Sequence, residues 1–164
     1  VTMTLLGGLF MVWYTCHIEG ILTSIVDENL AAFQSAEALE TSLVNQKGFV
    51  SYYFMDGDHD WLRQLGEYRQ IFKERLQEAA RLAQTQQQRQ LIRQIKQTYT
   101  LYVKEKDTVI THYKNNERDT GARLHHKVRE RFFSILELCE QYKNFNARKI
   151  KAAREKIRVQ AAKF

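Results

Sequence analysis

Apolar residues recur along most of the chain at steps of three and four, the spacing that places them on one face of an α-helix. The first such stretch leads from Leu22 to Phe54, and it predicts one unbroken helix that continues to about Met55. Gly57 is expected to end this helix, because glycine readily adopts the left-handed conformation of a helix C-terminus. Asp58 is then expected to cap the next helix by accepting free N–H groups of its first turn.

Three further stretches repeat the helical spacing. Thr85 lies where it can cap the second of them, and Asn115, Asn116 and Gly121 mark the break before the last. The helices are predicted to cover about residues 23–55, 59–84, 87–116 and 122–164. Amphipathic helices joined by short turns favour an all-α fold, here an antiparallel up-down four-helix bundle. Because the number of helices is even, the long first and last helices leave the bundle at the same end.

The N-terminal sequence VTMTLLGGLFMVWYTC carries no charge. A full membrane span takes roughly 20 apolar residues, so residues 1–22 are predicted to be the end of an N-terminal transmembrane helix. Trp13 and Tyr14 close the run, at the position of interfacial aromatic residues. A buried core helix is an alternative, as is a signal peptide, although no small-x-small cleavage site is present. Residues 23–164 would then form the bundle, with its first and last helices extending to the membrane.

The composition fits this picture. None of the 164 residues is proline, which would cost about 3 kcal/mol inside a helix. The net charge of +6 is concentrated in residues 143–163, where eight Lys and Arg face only Glu155, so the remainder of the chain carries about −1. The basicity therefore belongs to the last helix and does not indicate a nucleic-acid partner. We expect that helix to approach lipid headgroups and to re-enter the bilayer as a second span after Phe164; an ordinary solvated bundle is the alternative.

A local motif lies where the first predicted helix turns into the second. Residues 45–68 read NQKGFVSYYFMDGDHDWLRQLGEY. This stretch resembles the hinge of the four-helix sensor domains of bacterial transmembrane histidine kinases and chemoreceptors, including the CHASE type. The shared elements are Gly48 with Phe49, Tyr52 and Tyr53, then Gly57-Asp58, then Trp61-Leu62. In architecture the resemblance covers nearly the whole chain.

The resemblance implies an extracytoplasmic signal-sensing input domain of a membrane-bound bacterial sensor histidine kinase, acting in two-component signal transduction. It would be a homodimer in the bacterial inner membrane, with the bundle on the periplasmic side. A small ligand, not identified by the sequence, would move the first and last helices relative to each other and so signal to a cytoplasmic domain of the same polypeptide. The first helix has apolar residues beyond its bundle-facing stripe, and these would form part of the dimer interface: Leu30, Leu39 and Val44. The alternatives are the sensing domain of a methyl-accepting chemotaxis receptor and a non-sensing structural bundle.

The chain itself is not expected to be an enzyme or to hold a cofactor. It contains no paired catalytic carboxylates, Ser-His or Cys-His constellation, P-loop or di-iron motif. The acidic stretch Asp56-Gly-Asp-His-Asp60 does not match a calcium loop, because Trp61 stands where that loop requires glycine. Cys16 and Cys139 form no metal signature.

The up-down path predicts that the first and third turns meet at the membrane-distal tip. The candidate ligand-binding residues there are His59, His112, His125, Tyr53 and Trp61. Imidazoles beside carboxylates can hold metal ions or respond to pH, but loop tips are also polar because they face water, and no metal ligand is assigned. Five tyrosines lie at or near helical core spacing, which favours core packing over a pocket lining: Tyr52, Tyr53, Tyr99, Tyr102 and Tyr113.

Overall fold

The computed structural model describes residues 2–162, with side chains from Gly7 onward, and no strand occurs in this range. Its helices are α1 (Thr2–Val44), α2 (Phe49–Asp56), α3 (Asp60–Leu82), α4 (Gln86–Lys114) and α5 (Arg118–Ala161). Because α1 and α2 are two parts of the first predicted helix, the all-α four-helix fold is confirmed. Val1, Lys163 and Phe164 lie outside the described residues, as do the outermost parts of the predicted segments 1–22 and 122–164.

The core lies along the axis where all the helices meet. α5 packs along both α1 and α4, while α3 packs against α1, α2 and α4, which is the order around an up-down bundle. Fully buried side chains come from each long helix, among them Leu39, Leu65, Ile95 and Ile135. The apolar stripes seen in the sequence thus face one another and exclude water, the dominant favourable contribution to folding.

Three helix ends, in two turns, lie where local chemistry predicts them. Gly57 adopts a positive φ of 74° and donates its N–H to the Tyr53 carbonyl, so it ends α2. An Asp58 carboxylate oxygen accepts the N–H of Asp60, the first residue of α3, at 2.9 Å. Thr85 and Gln88 form a reciprocal capping box at the start of α4. The helix ends predicted at Gly57 and Thr85 are confirmed. Asp58 accepts one N–H of the first turn of α3, but the N-cap position belongs to His59, whose side chain makes no capping hydrogen bond.

The first helix, however, is not continuous to Met55. α1 ends at Val44, and residues 45–48 form an irregular turn before α2 begins. Gln46 turns inward and is fully buried, while Gly48 adopts a φ of 99°, which an L-residue rarely tolerates. The prediction of one unbroken helix is therefore wrong: at residues 45–48 a turn with buried Gln46 and a positive φ at Gly48 interrupts it.

Gly121 was predicted to lie in the break before the last helix, but the structure places it elsewhere. It lies inside α5 and is buried against Tyr113, so that a Cβ atom there would come within 2.2 Å of Tyr113 Cε1. The reversal before α5 is made instead by Asn116, whose φ is +61°. Gly121 is thus required for close packing of α5 on α4 and not for the turn.

Two helices are much longer than the core. α1 and α5 contain 43 and 44 residues, or about 65 Å each at 1.5 Å per residue. In α1 the side chains of residues 9–14 are exposed on all sides of the helix, including Leu9, Phe10 and Trp13 at 60% or more. By length and composition, this first helix could cross a membrane. A helix that is apolar all round is typical of a membrane span.

Candidate functional site

The irregular turn at residues 45–48 is held by buried hydrogen bonds. The Gln46 side-chain amide donates to the Ser42 carbonyl at 3.1 Å, and its oxygen accepts the Tyr99 hydroxyl of α4 at 3.0 Å. Burial raises the pKa of Tyr99 to about 12, so this phenol remains a hydrogen-bond donor at neutral pH. Gly48 has no room for a side chain, since a Cβ atom would lie 2.9 Å from the Tyr52 ring. The turn is therefore fixed to α4.

The acidic side chains at the tip are used in the turn between α2 and α3. Asp56 accepts the Trp61 indole N–H at 2.9 Å and the Asp58 N–H at 2.9 Å. The Trp61 hydrogen bond lowers the pKa of the Asp56 carboxyl. Asp60 accepts from Arg63 and Gln64. The Met-Asp-Gly-Asp sequence thus builds a hydrogen-bonded helix reversal, and its carboxylates already have partners.

The five sequence-predicted candidates do not form one site. The His59 ring lies against the edge of buried Tyr53, with ring centroids 5.4 Å apart. Trp61 packs on Tyr52 and Phe49 and serves the turn described above.

The two predicted histidines of the α4–α5 hairpin have different partners. His112 contacts the carboxylate of Glu117. His125 lies with its Nδ1 atom 3.4 Å from the Tyr113 hydroxyl. Across residues 2–162 no group of three or more His, Cys, Asp or Glu side chains is placed to hold a metal ion.

A cleft of about 450 Å³ opens where the irregular turn and α2 meet α4 and α5. One wall is aromatic, and the remaining side chains are basic or small. The aromatic residues are Tyr102, Tyr113, Phe132 and Phe133, the basic ones Lys47, Lys106, His125, His126 and Arg129, and the small ones Gly48, Ser51 and Ala122. Its volume lies within the range of small-molecule sites. Of the predicted candidates, only His125 lines it.

Lys106 is the unusual member of this cleft, because it is a buried lysine with 6% exposure. Within residues 2–162 it has no carboxylate partner, and its Nζ lies 5.3 Å from the centroid of the Tyr102 ring. Burial, and then the charge of Arg69, lower the pKa of Lys106 to about 8. A lysine is rarely so buried without a partner, and the group remains mostly protonated at neutral pH.

The surroundings of Lys106 supply positive charge and no compensating acid. Asp107 binds Arg69 at 2.7 Å, and Glu105 accepts two hydrogen bonds from Arg131 at 2.7 and 2.8 Å. No Asp or Glu lines the cleft as the structure describes it. Burial, and then the charge of Lys106, lower the pKa of His125 to about 4, which keeps that imidazole neutral at pH 7. The Tyr102 hydroxyl is buried without a hydrogen-bond partner in the described part of the chain.

Lys106 was not among the residues predicted for a site, although the sequence contains a signal for it. Tyr99, Tyr102, Lys106, Val109 and Tyr113 succeed one another at steps of three and four. Lys106 therefore occupies a core position of the heptad pattern, where a charged residue is exceptional. Only the structure shows that this position opens into a cleft.

Comparisons with known proteins do not assign a function. No family model matches the chain, and no curated protein or solved structure matches it.

Proposed function

We propose that this chain is a ligand-sensing module of a membrane-bound receptor, in which ligand in the cleft changes the relative position of α1 and α5. One observation carries the proposal. The cleft is walled both by the turn after α1, at Lys47 and Gly48, and by α5, at His125 and Phe132. A ligand there touches α5 directly and touches α1 through the turn that immediately follows it, and α1 and α5 are the two helices that continue out of the bundle.

Contacts farther along the same pair of helices support the relay. Lys143 of α5 binds Glu40 of α1 at 2.6 Å. Beyond the core, Ile18 and Leu22 lie beside Lys156 and Val159. Since packed helices move between discrete arrangements and do not bend continuously, a shift at the cleft would reach the far end of the pair. The ligand must bind the two arrangements with different affinity, because equal affinity shifts neither population.

The membrane anchor is supported by the exposed apolar surface of residues 9–14 in α1. Arg154, Lys156 and Arg158 of α5 are also exposed, where they would meet anionic headgroups. A second span after Phe164 would place both long helices in the bilayer.

The more specific proposal, a sensor domain of a bacterial histidine kinase, rests on the resemblance of residues 45–68 to bacterial sensor domains. On that basis the module lies on the periplasmic side of the bacterial inner membrane, forms a homodimer and controls a histidine kinase of the same polypeptide. The exposure of Leu30 and Val44, at 37% and 44%, supports an interface with a second copy, whereas Leu39 is fully buried and does not contribute. A chemoreceptor output is the alternative from the same resemblance.

A non-sensing structural bundle is the second candidate, favoured by the exposed basic residues near the end of α5. The two functions differ in the segments expected after Phe164 in the natural polypeptide. A membrane span and a signalling domain are expected there for a receptor. A natural polypeptide without them would favour the structural function.

The relay is tested by a disulfide between positions 22 and 156, because Leu22 of α1 and Lys156 of α5 line the same groove between these helices, away from the candidate cleft. Cysteines are introduced at both positions of the full-length membrane protein, with exposed Cys16 replaced by serine. Cys139 can stay, since it is fully buried, and burial together with the charge of Glu40 raises its pKa to about 12, leaving no reactive thiolate.

We expect oxidation of the double-cysteine protein to change basal autophosphorylation at least threefold, and reduction to restore it. Each single-cysteine variant serves as a control and should not respond to oxidation. An oxidised protein with complete crosslinking and unchanged output would show that movement between α1 and α5 is not the signal.

A further inference from the structure

We infer that the cleft binds a small organic carboxylate with an aromatic or other apolar body, and that Lys106 receives the carboxylate. The inference names the ligand class of the proposed sensor, and its signalling consequence rests on that proposed function. The binding itself does not, because it depends only on the chemistry of the cleft.

Lys106 is the reason to expect a carboxylate. An ammonium group removed from water is costly unless a charge or hydrogen bond compensates it. The nearest acids in the sequence, Glu105 and Asp107, are bound by Arg131 and Arg69. A bound anion would supply the missing partner, and Lys47 and Arg129 at the opening would attract it.

The aromatic side chains that line the cleft on α4 and α5 are the reason to expect an apolar body. Tyr102 and Phe132 lie with ring centroids 6.2 Å apart, and Phe132 meets Phe133 edge-on at 5.5 Å. Phe133 remains 45% exposed although it is aromatic. Tyr102 and Phe132 are already buried, so Phe133 is the ring that a ligand can cover. Inorganic phosphate would satisfy Lys106 but leave Phe133 in water, whereas an aromatic carboxylate would pack on Phe133 and gain its burial.

The unpaired Tyr102 hydroxyl adds a polar group of the right kind. It lies on the same helix face as Lys106, one turn away, and both residues line the cleft. A phenol can donate one hydrogen bond to a carboxylate oxygen, in addition to the stronger bond from the ammonium. Two donors on α4 and the exposed Phe133 ring on α5 fit an amphiphilic anion.

Benzoate serves as the probe because it combines one carboxylate with one ring. The full-length protein is titrated with benzoate at pH 7 by isothermal calorimetry, and with benzamide, which has the same shape without the charge. We expect saturable binding of one benzoate per chain and at least tenfold weaker binding of benzamide. Equal binding of the two, or no saturable binding of benzoate, would overturn the inference.

Two pairs of variants locate the site. Lys106→Met is expected to weaken benzoate at least tenfold, whereas Lys104→Met, at an exposed position of the same helix, should leave affinity unchanged. Phe133→Ala should weaken benzoate about threefold or more, whereas Leu101→Ala, on an equally exposed apolar residue that does not line the cleft, should not. Equal effects within either pair would show that benzoate binds elsewhere.

Titration with inorganic phosphate tests whether the cleft binds a free inorganic anion and not an organic carboxylate. Phosphate that binds as tightly as benzoate, and loses affinity in Lys106→Met but not in Phe133→Ala, would assign the cleft to free inorganic anions and overturn the organic ligand. A melting temperature for Lys106→Met at or above that of the wild type shows that lost binding is not unfolding. If benzoate binds but does not move the helices, only the proposed relay is refuted and the ligand site stands. The two proposals can be separated because the disulfide experiment tests the relay without any ligand.

Discussion

The Tyr99 hydroxyl donates a hydrogen bond to the Gln46 side-chain oxygen at 3.0 Å, although 53 residues separate the two in sequence. Gln46 is fully buried and Tyr99 is 3% exposed. The contact joins the interruption of the first helix to the middle of α4. It thus fixes the turn whose Lys47 and Gly48 form one wall of the cleft.

Removal of this hydrogen bond is expected to destabilise the bundle. Tyr99→Phe leaves the Gln46 oxygen buried without its donor, which costs about 1 to 2 kcal/mol in the free energy of unfolding. Chemical denaturation followed by circular dichroism measures the change. Tyr52→Phe, at a tyrosine that is 46% exposed, serves as the control and should change stability by less than about 0.5 kcal/mol.

The double variant Gln46→Met, Tyr99→Phe provides a further check. Replacement of both partners by apolar side chains of similar size removes the unsatisfied oxygen, so we expect it to recover part of the stability lost in Tyr99→Phe. A double variant less stable than the sum of the single changes would contradict this account of the turn.

Gly121→Ala is expected to cost about 1 to 3 kcal/mol, the usual effect of overpacking a filled core. The added methyl group would meet Tyr113, which also stacks on Phe54 at a centroid distance of 4.2 Å. Gly66→Ala is the matched control, because nothing lies within 4 Å of its added Cβ. In α3 that change should stabilise by about 0.5 to 1 kcal/mol. Effects of the same sign at the two positions would refute the packing role of Gly121.

Lys106→Met is expected to stabilise the unliganded protein by about 1 to 3 kcal/mol at pH 7, because burial lowers the lysine pKa from 10.5 to about 8 in the folded state. The titratable side chains near Lys106 from other parts of the chain are all basic and supply no negative charge: Arg69, Lys47 and His125. Lys104→Met is the control.

The sign of the accompanying pH dependence is set by proton binding. Between pH 8 and 10.5 the unfolded chain binds more protons at Lys106 than the folded chain does, so wild-type stability from this group rises with pH there. The Lys106→Met variant should lack that rise. A difference in stability between wild type and variant that is constant from pH 7 to 10.5 would contradict a buried charged lysine.

His125 should make the protein sensitive to acid. Its pKa is about 4 in the folded state against 6.5 for an unperturbed histidine, because of burial and then of the charge of Lys106. The folded state therefore binds fewer protons than the unfolded state between these values, and stability is lost as pH falls from 6.5 to 4, by about 1 to 3 kcal/mol. His125→Gln should flatten this decline, measured as melting temperature against pH. The same substitution at exposed His126 is the control, and an equal flattening there would argue against His125.

The helices and two of their turns were predictable from local sequence patterns. Apolar spacing marked the stripes that pack against each other, and Gly57, Asp58 and Thr85 act on neighbours within four residues. Such contacts need no tertiary structure, since the partner lies on the adjacent turn of the chain. The long first and last helices were predictable from the same periodicity.

The break at residues 45–48, the place of Gly121 and the surroundings of Lys106 depend instead on how the helices pack. Gln46 is held in the turn by Tyr99 of α4, and Gly121 is needed because Tyr113 packs on α5. Lys106 is isolated from acids because its neighbours in sequence are bound by Arg131 and Arg69. Each of these features depends on a residue of another helix, and the spacing within one helix carries no information about that partner.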